Sequence, residues 1–179
     1  MPEMKDSGSR QSSSSTPLYR TGIGYDSHRF APGGPLILGG VSIEFDAHLH
    51  GHSDGDAVAH AVTDAVLGAC AAGDIGAMFP DTDPENSGRD SMDMLRRAVG
   101  HVNQKGTTVV NVDITVVAEY PHIGPYRADM CLALSRALSI PAERVSIKGK
   151  TNEGMGWIGH GEGIACIAVA TVATEEQRT

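Results

Sequence analysis

The segment between residues 54 and 71 constrains the fold most strongly, because its apolar residues recur at helical spacing and form one stripe. The stripe consists of Val58, Ala61, Val62, Ala65, Val66 and Ala69. Aromatic residues make up only 4% of the chain, so the core must be built from Ala, Val, Ile and Leu. We predict a helix over residues 54–71, with Ser53 or Asp54 as its N-cap and a weak capping box from Ser53 to Asp56.

Strand and helix patterns alternate along the rest of the chain. Strands are predicted at residues 22–30, 109–118, 144–150 and 164–172, with a hairpin that joins 35–38 to 41–45 through Gly39-Gly40. Two further helices are predicted, at residues 91–105 and around Met130, Leu134 and Leu138. The last strand is apolar on both faces, so it is predicted to be buried on both. The pattern indicates the α+β class, with a mixed sheet covered on one side by helices.

The first residues differ in composition from the rest of the chain. Residues 1–16 are rich in serine and lack an apolar run, which indicates a disordered tail and neither a secretory signal nor a transit peptide. No later segment approaches the ~20 apolar residues of a membrane span. We expect a tail at residues 1–19, one folded domain at 20–173 and a short C-terminal tail at 174–179.

The charge and the cysteines argue against several classes of protein. A formal net charge of −8 does not suit a nucleic-acid-binding protein, which needs a basic surface. Cys70, Cys131 and Cys166 lie in apolar patterns without Cys-x-x-Cys spacing, which favours buried thiols in a reducing cytoplasm over disulfides or structural zinc. An acidic protein of this kind would need bound cations to attract an anionic substrate.

A sparse set of aspartate and histidine residues predicts a metal site. Asp26 and His28 are two residues apart, so on an extended strand their side chains share one face. His60 lies on the predicted helix, off the apolar stripe, with Asp56 and Asp64 four residues away on either side as candidate hydrogen-bond partners. Asp26, His28 and His60 would give zinc three ligands and leave a fourth position open, as in catalytic sites.

Two loops carry polar side chains whose role the spacing leaves open. Residues 150–153, Lys-Thr-Asn-Glu, follow a predicted strand and precede several glycines, and they either approach a ligand or form a flexible connection. Residues 118–125 form a proline-bounded turn that either lines a pocket or joins a strand to a helix. His48 and His50 are interpreted as loop residues, without a signal that separates them from solvent-exposed histidines.

Six segments carry a resemblance to a known family: residues 22–30, 52–60, 73–76, 79–84, 148–153 and 161–165. Together and in this order they resemble the 2-C-methyl-D-erythritol 2,4-cyclodiphosphate synthases of the non-mevalonate isoprenoid pathway. The resemblance implies a homotrimer whose sheets face the threefold axis, with an active site at each subunit boundary. It also implies that the 2-phosphate of 4-diphosphocytidyl-2-C-methyl-D-erythritol 2-phosphate attacks its own β-phosphate and that CMP is released.

The resemblance further implies roles for individual residues. Asp26, His28 and His60 would hold zinc, and Glu153 would hold a second ion, magnesium or manganese. His52 and Thr151 would stabilise the transition state, and all of these except His60 would also contact the substrate. The other implied substrate positions are Ser53, Asp74, Ile75, Gly76, Phe79, Pro80, Asp81, Thr82 and Asp83 around the methylerythritol phosphate, Ala118, Glu119, Tyr120, Pro121, His122, Ile123 and Gly124 in the cytidine pocket of the neighbouring subunit, and Lys150, Asn152, Trp157 and His160.

Two positions depart from the family pattern. His122 stands where many members have lysine, and His160 stands where arginine is usual, in a region that relatives use to bind isoprenoid diphosphates. Two alternative functions remain open at this point. One is a zinc-dependent phosphohydrolase, because an open zinc site can activate water. The other is a non-catalytic trimeric protein that binds isoprenoid diphosphates.

Overall fold

The computed structural model describes residues 16–175, and its centre is a five-stranded mixed sheet in the order β4-β1-β7-β5-β6. The strands are β1 (Pro17–Pro32), β4 (Ala47–Leu49), β5 (Thr107–Val117), β6 (Val145–Lys150) and β7 (Gly163–Glu175). Neighbours are antiparallel except for β5 and β6, which are parallel. The predicted hairpin is also present, as β2 (Leu36–Leu38) and β3 (Val41–Ile43). The α+β class and the mixed sheet are therefore confirmed.

Helices lie on one face of this sheet. The long ones are α1 (Ala57–Ala69), α3 (Ser91–Gln104) and α4 (Arg127–Leu138), and α2 (Ile75–Met78) and α5 (Gly156–Gly159) are single turns. α1 packs on β1 and β7, α3 on α1 and β5, and α4 on β6 and α3. The apolar stripe predicted for α1 is buried against the sheet. The three long helices thus form the layer that the sequence predicts.

Glycines in β1 allow α1 to lie directly on the strand backbone. A Cβ atom at Gly24 would lie 2.7 Å from the backbone nitrogen of Ala65, and one at Gly22 would lie 3.0 Å from Cα of Ala69. Each of these Cβ atoms would also lie under 3.0 Å from a backbone atom of α1, an approach that real Cβ atoms essentially never show. The contact therefore fixes the distance between α1 and the next residues of β1, where Asp26 and His28 lie.

Asp56 caps α1, so the prediction of Ser53 or Asp54 as the N-cap is wrong. The Asp56 carboxylate is fully buried and accepts hydrogen bonds from the backbone nitrogens of Val58 and Ala59, at 3.1 and 3.0 Å. It also accepts from the backbone nitrogens of Gly39 and Gly40, at 2.8 and 2.7 Å. Both glycines have positive φ angles, and the N–H group of Gly39, which is buried, needs an acceptor within the protein. One carboxylate therefore joins the hairpin turn to the start of α1.

The opposite face of the sheet has no helix over it in the described part of the chain. Ile23, Tyr25, Ile167 and Val169 expose between 36% and 69% of their surface there. The strand register places Ile23 beside Val169 and Tyr25 beside Ile167, so the four form one apolar patch. The prediction that the last strand is buried on both faces is wrong for a single chain. Its apolar residues on this face need another partner to be buried.

Several boundaries also differ from the prediction. β1 begins at Pro17 and β7 ends at Glu175, so the sheet includes residues that we assigned to the two tails; residues 1–15 and 176–179 lie outside the described residues. His48 lies in β4, whose pairing with β1 the short pattern did not reveal, and His50 follows directly. The three cysteines are free; Cys166 is buried as predicted, whereas Cys70 and Cys131 are only partly buried. Among the described residues, none of the helices is both long and apolar enough to cross a membrane.

Candidate functional site

Asp26, His28 and His60 come together where α1 crosses β1. Nδ1 of His28 lies 2.9 Å and Nδ1 of His60 lies 3.1 Å from Oδ2 of Asp26. One ligand-type atom from each residue falls within 4.8 Å of the other two. The geometry follows from the two-residue repeat of a strand and the 3.6-residue repeat of a helix. Alternate residues of β1 face α1, and His60 lies on the adjacent turn of α1. The prediction that these three side chains converge is confirmed.

Charge and burial shape the protonation of this cluster. Burial opposes ionisation of the Asp26 carboxyl, but its contacts with His28 and His60 outweigh burial and lower its pKa to about 2. Burial likewise opposes a charge on His60, yet the hydrogen bond and charge of Asp26 raise the pKa of that imidazole above its usual value. The carboxylate is therefore ionised at neutral pH and attracts a positive partner, which is either a proton on His60 or a metal ion.

The cluster fits a divalent metal ion such as zinc. Nδ1 of His28 is buried and has no hydrogen-bond partner among the described residues, although it lies beside Asp26 without hydrogen-bond alignment. A buried nitrogen of this kind is costly unless it binds something. Two imidazole nitrogens and one carboxylate are also the donor set that zinc favours in catalytic sites.

The other nitrogen of His60 has partners that the sequence did not predict. Nε2 lies 2.8 Å from Oγ of Ser91 and 3.0 Å from Oγ of Ser53. The prediction of Asp56 and Asp64 as its hydrogen-bond partners is wrong. The carboxylate of Asp56 instead accepts hydrogen bonds from backbone nitrogens of α1 and of the hairpin turn. Asp64 accepts from the backbone nitrogen of Ile75 at 2.7 Å, and burial raises its pKa.

A cavity of about 750 Å³ opens on the cluster. Of the residues predicted to bind substrate, it is lined by His28, His52, Ser53, Ile75, Gly76, Phe79 and Asp81. Its wall also includes residues that were not predicted to belong to the site, namely Ser27, Arg29, Gly51, Asn86, Met94 and His50, which was interpreted as an ordinary loop residue. Arg29 lies next to a predicted ligand in the matching segment 22–30, which is the one signal that points to it. This cavity is large enough for a small phosphorylated molecule.

The floor and rim of the cavity come from two adjoining segments. Asp74 caps α2 by accepting a hydrogen bond from the backbone nitrogen of Ala77 at 2.7 Å. Phe79 follows α2 and is buried, and Cζ of Arg89 lies 5.8 Å from the centre of its ring. His52 and Asp81 stand at the rim, with Nε2 and Oδ2 4.0 Å apart and both side chains more than two-thirds exposed. Pro80, Thr82 and Asp83 belong to the exposed turn beyond.

Besides a cavity of about 530 Å³ beside Asp54 and Asp90, a small cavity of about 150 Å³ lies at the far edge of the sheet. It is lined by Ala118, His122, Ile123, Gly124, Arg127, Gly149, Lys150 and Thr151. Residues of the loop 118–125 and of the loop 150–153 thus lie side by side, as a pocket formed by both loops would require. Tyr120 is exposed and its ring lies 5.4 Å from that of His122. Trp157, on α5, and His160, 3.8 Å from Glu162, line neither of the two cavities.

The two cavities are separate within one chain. Register pairs His28 with Ile164, Ala165 with Val117, and Val117 with Lys150, so the metal cluster and Thr151 lie at the same end of the sheet. Strands β7 and β5 stand between them, which corresponds to three strand spacings or about 14 Å. Thr151 and Glu153 are therefore not brought to the metal cluster of their own chain.

Glu119 holds the loop that carries Thr151 and Glu153. Its Oε1 accepts from the backbone nitrogens of Asn152 and Gly154, at 2.8 and 3.2 Å. Glu153 has a positive φ of 52°, which is uncommon for a residue with a side chain, and its Oε1 accepts from the Thr151 hydroxyl at 3.0 Å. Glu119 therefore stabilises a loop conformation that the loop sequence alone does not favour.

If Thr151 and Glu153 act in catalysis as the resemblance implies, Glu119→Ala should lower kcat by about 100-fold with little change in KM, because misplacing them would cost rate more than binding. Glu119→Gln keeps the oxygen that accepts both hydrogen bonds, so it should recover most of the rate. Glu143→Gln, on an exposed turn, is the matched control. Steady-state kinetics measure the effect. A rise in KM alone in Glu119→Ala would instead indicate direct contact with the substrate.

The fold and the cluster together define a class of protein: an α+β domain with an Asp-His-His group at the open end of its sheet. The model of the YgbB family matches residues 19–173, and the chain belongs to this family. Its relatives include the 2-C-methyl-D-erythritol 2,4-cyclodiphosphate synthase of Gemmatimonas aurantiaca, 57% identical over 155 residues, which are 87% of this chain and 93% of that one. The enzyme of the same name from Symbiobacterium thermophilum is 53% identical over 85% of this chain and 97% of that one.

Solved structures of related proteins superpose on this chain. The bifunctional IspDF from Campylobacter jejuni superposes with a TM-score of 0.86 at 36% identity, covering 89% of this chain but only 43% of that one. The chain thus spans less than half of the bifunctional protein. IspF of Plasmodium falciparum in complex with CDP superposes with a TM-score of 0.77 at 35% identity, covering 88% of this chain and 97% of that one.

Proposed function

We propose that this protein is a cyclodiphosphate synthase. It converts 4-diphosphocytidyl-2-C-methyl-D-erythritol 2-phosphate to 2-C-methyl-D-erythritol 2,4-cyclodiphosphate and CMP, in the non-mevalonate isoprenoid pathway. The observation that carries the proposal is the convergence of Asp26, His28 and His60 at a cavity that also exposes His52 and Ser53. Relatives that span nearly the same length and bear this enzyme's name support it. The three free cysteines agree with a reducing compartment, and we propose the cytoplasm.

We assign zinc to Asp26, His28 and His60, and magnesium or manganese to Glu153. Bound there, the two ions would neutralise phosphate charge and polarise a phosphate oxygen. A lone, exposed carboxylate such as Glu153 suits magnesium, which usually takes one or two carboxylates together with substrate phosphates and water. The ions also account for how a chain with a net charge of −8 attracts a polyanionic substrate.

The side chains of the two cavities then position one flexible molecule for attack on itself. The nucleophilic 2-phosphate and the β-phosphate belong to the same substrate, so holding them close supplies much of the rate enhancement and a protein nucleophile is unnecessary. Within the large cavity, the hydroxyl of Ser53 and the backbone N–H of Gly76 offer hydrogen bonds to the methylerythritol phosphate, while the N–H of Ile75 is held by Asp64. The imidazole of His52 and the hydroxyl of Thr151 can donate to oxygens whose charge grows in the transition state.

The remaining substrate contacts fall to the small cavity. The loop from Ala118 to Gly124 together with Lys150 would hold the cytidine, a proposal in line with the CDP complex of the Plasmodium relative. His122 replaces the lysine common in the family and offers a shorter side chain to the phosphates or ribose. Trp157 and His160 lie away from both cavities, so any role for them in substrate binding needs a neighbouring chain.

A homotrimer reconciles the separated cavities with a single active site. The uncovered apolar patch of Ile23, Tyr25, Ile167 and Val169 would be buried if the sheets of three chains faced a common axis. The metal cluster of one chain would then meet the loop around Thr151 of the next. This arrangement requires the patch to be an interface, and it explains why neither cavity alone holds all the groups that the reaction needs.

The proposal is tested by supplying the cytidyl substrate with zinc and magnesium in water labelled with oxygen-18. We expect mass spectrometry to detect CMP and a cyclic diphosphate without the heavy isotope, because ring closure is internal to the substrate. A zinc phosphohydrolase would instead place a solvent oxygen in a product phosphate. Tight binding of isoprenoid diphosphates with no turnover of the cytidyl substrate would support the non-catalytic alternative.

A further inference from the structure

We propose that Ser91 and Asp54 are positioning residues for the metal centre, because they hold the proton of His60 on Nε2 and leave Nδ1 free to bind the ion. The inference rests on the proposed zinc site at Asp26, His28 and His60. Neither Ser91 nor Asp54 belongs to the ligand set or to the implied substrate positions. Both lie on the side of His60 that faces away from Asp26.

Ser91 is the direct neighbour of His60 in this arrangement. It is the first residue of α3, is fully buried, and has its Oγ 2.8 Å from Nε2 of His60. The same hydroxyl donates a hydrogen bond to Oδ1 of Asp54, and the backbone nitrogen of Ser91 donates to Oδ2 of Asp54 at 3.2 Å. The Asp54 carboxylate thus uses both oxygens to hold Ser91, and its Oδ1 also accepts from the backbone nitrogen of Asp56 at 3.2 Å.

The direction of these hydrogen bonds follows from counting donors. A serine hydroxyl has one hydrogen to donate, whereas an ionised carboxylate can only accept. The Ser91 hydrogen must therefore point to Asp54, and Oγ of Ser91 can only accept from His60. This requires the proton of His60 to be on Nε2. A neutral imidazole with that proton presents the lone pair of Nδ1, which is the nitrogen that faces Asp26.

Ser53 supports the same arrangement but cannot replace Ser91. Its Oγ lies 3.0 Å from Nε2 of His60 and 3.1 Å from Oγ of Ser91, so it can accept weakly from the former or donate to the latter. Ser53 lines the large cavity and is only partly buried, so a bound ligand or water can draw its hydroxyl away. Ser91 has no access to solvent and is held by Asp54 at two points.

The start of α3 provides a matched control. Asp90 is the N-cap of this helix and accepts from the backbone nitrogens of Met92 and Asp93, at 2.7 and 3.2 Å. Asp54 and Asp90 are therefore two carboxylates at the same helix end, and only Asp54 connects to His60, through Ser91. Loss of Asp90 should destabilise the helix end without changing the proton position on His60.

The experiment measures zinc affinity by competition with a chelator in the intact protein. We expect Ser91→Ala to raise the zinc Kd by about 10- to 100-fold, since residues that orient a ligating histidine commonly have effects of this size. Ser91→Thr retains the hydroxyl and should recover most of the affinity. Asp54→Asn should also raise the Kd, because its NH2 group would face one of the two donors from Ser91. Asp90→Asn should bind zinc as the unmodified protein does.

The outcomes separate this inference from the proposed function. If the unmodified protein does not bind zinc, the proposed metal centre itself is wrong. If it binds zinc and Ser91→Ala binds equally well, or if Asp90→Asn loses as much affinity as Asp54→Asn, the positioning role is wrong and the metal centre stands. Nitrogen-15 NMR of the zinc-loaded, unmodified protein needs no variant. We expect the His60 proton on Nε2 and the ion on Nδ1, and the reverse assignment would overturn the inference.

Discussion

Replacing His60 by alanine is expected to lower kcat/KM for CMP release by about 1,000-fold or more. The variant removes one of the three proposed zinc ligands, and the charge stabilisation that a metal ion supplies is worth several kcal/mol at about 1.36 kcal/mol per factor of ten. The measurement is CMP release in the presence of zinc and magnesium, together with the zinc content of the purified variant. Both should fall together, because the imidazole acts through the ion.

His101→Ala is the control for this prediction, since His101 lies on α3 and contributes to neither cavity. Its turnover should match that of the unmodified protein. Treatment with a chelator should inactivate the unmodified protein and the control alike. Full turnover by His60→Ala after removal of metal would show that the reaction does not use this ion.

Replacing Ile23 by aspartate is expected to give a monomer without measurable turnover. Ile23 is 69% exposed in one chain and lies in the apolar patch that we propose as the trimer interface. A carboxylate buried there without a partner costs several kcal/mol at each of the three contacts. Analytical ultracentrifugation would detect the change in mass, and activity should be lost because strands β1 and β6, which carry the two halves of the proposed site, are about 14 Å apart in one chain. Leu132→Asp, on the outer surface of α4, should leave both assembly and turnover intact.

Mixing two inactive variants tests the shared site directly. In the proposed trimer, His60→Ala would lack the metal half of each site, and Thr151→Ala would lack the loop half. If each site combines halves from adjacent chains, about a quarter of the sites in randomly mixed trimers should be intact. Activity that returns after the two variants are unfolded and refolded together supports the shared site. If assembled trimers form but no activity returns, each chain must carry its own complete site.

The metal cluster was predictable because it depends on local periodicity. Asp26 and His28 follow from the two-residue repeat of a strand, and His60 from the helical repeat of α1. The cap of α1 was not predictable in the same way. Asp56 is held in place by hydrogen bonds from Gly39 and Gly40, which are 17 and 16 residues away in the sequence. Ser91 lies 31 residues from His60, and only the packing of α3 on α1 brings them together.

The uncovered sheet face shows a different limit of sequence reasoning. An apolar strand face covered by a helix and one covered by another chain have the same composition, so the pattern of β7 could not distinguish them. The resemblance to a trimeric family supplied the expectation that the residues alone did not. The separation of the two cavities also depends on strand order, which periodicity does not specify.

The glycines beneath α1 have a consequence for attempts to redesign this centre. Because Gly22 and Gly24 let the helix rest on the strand backbone, the spacing of the three ligand positions is set by main-chain atoms and not by adaptable side chains. Asp26, His28 or His60 could therefore be exchanged for other coordinating residues, and α1 and β1 should keep their relative positions. A single methyl group added at Gly24 would push α1 away from β1, although Asp26, His28 and His60 themselves would be unchanged.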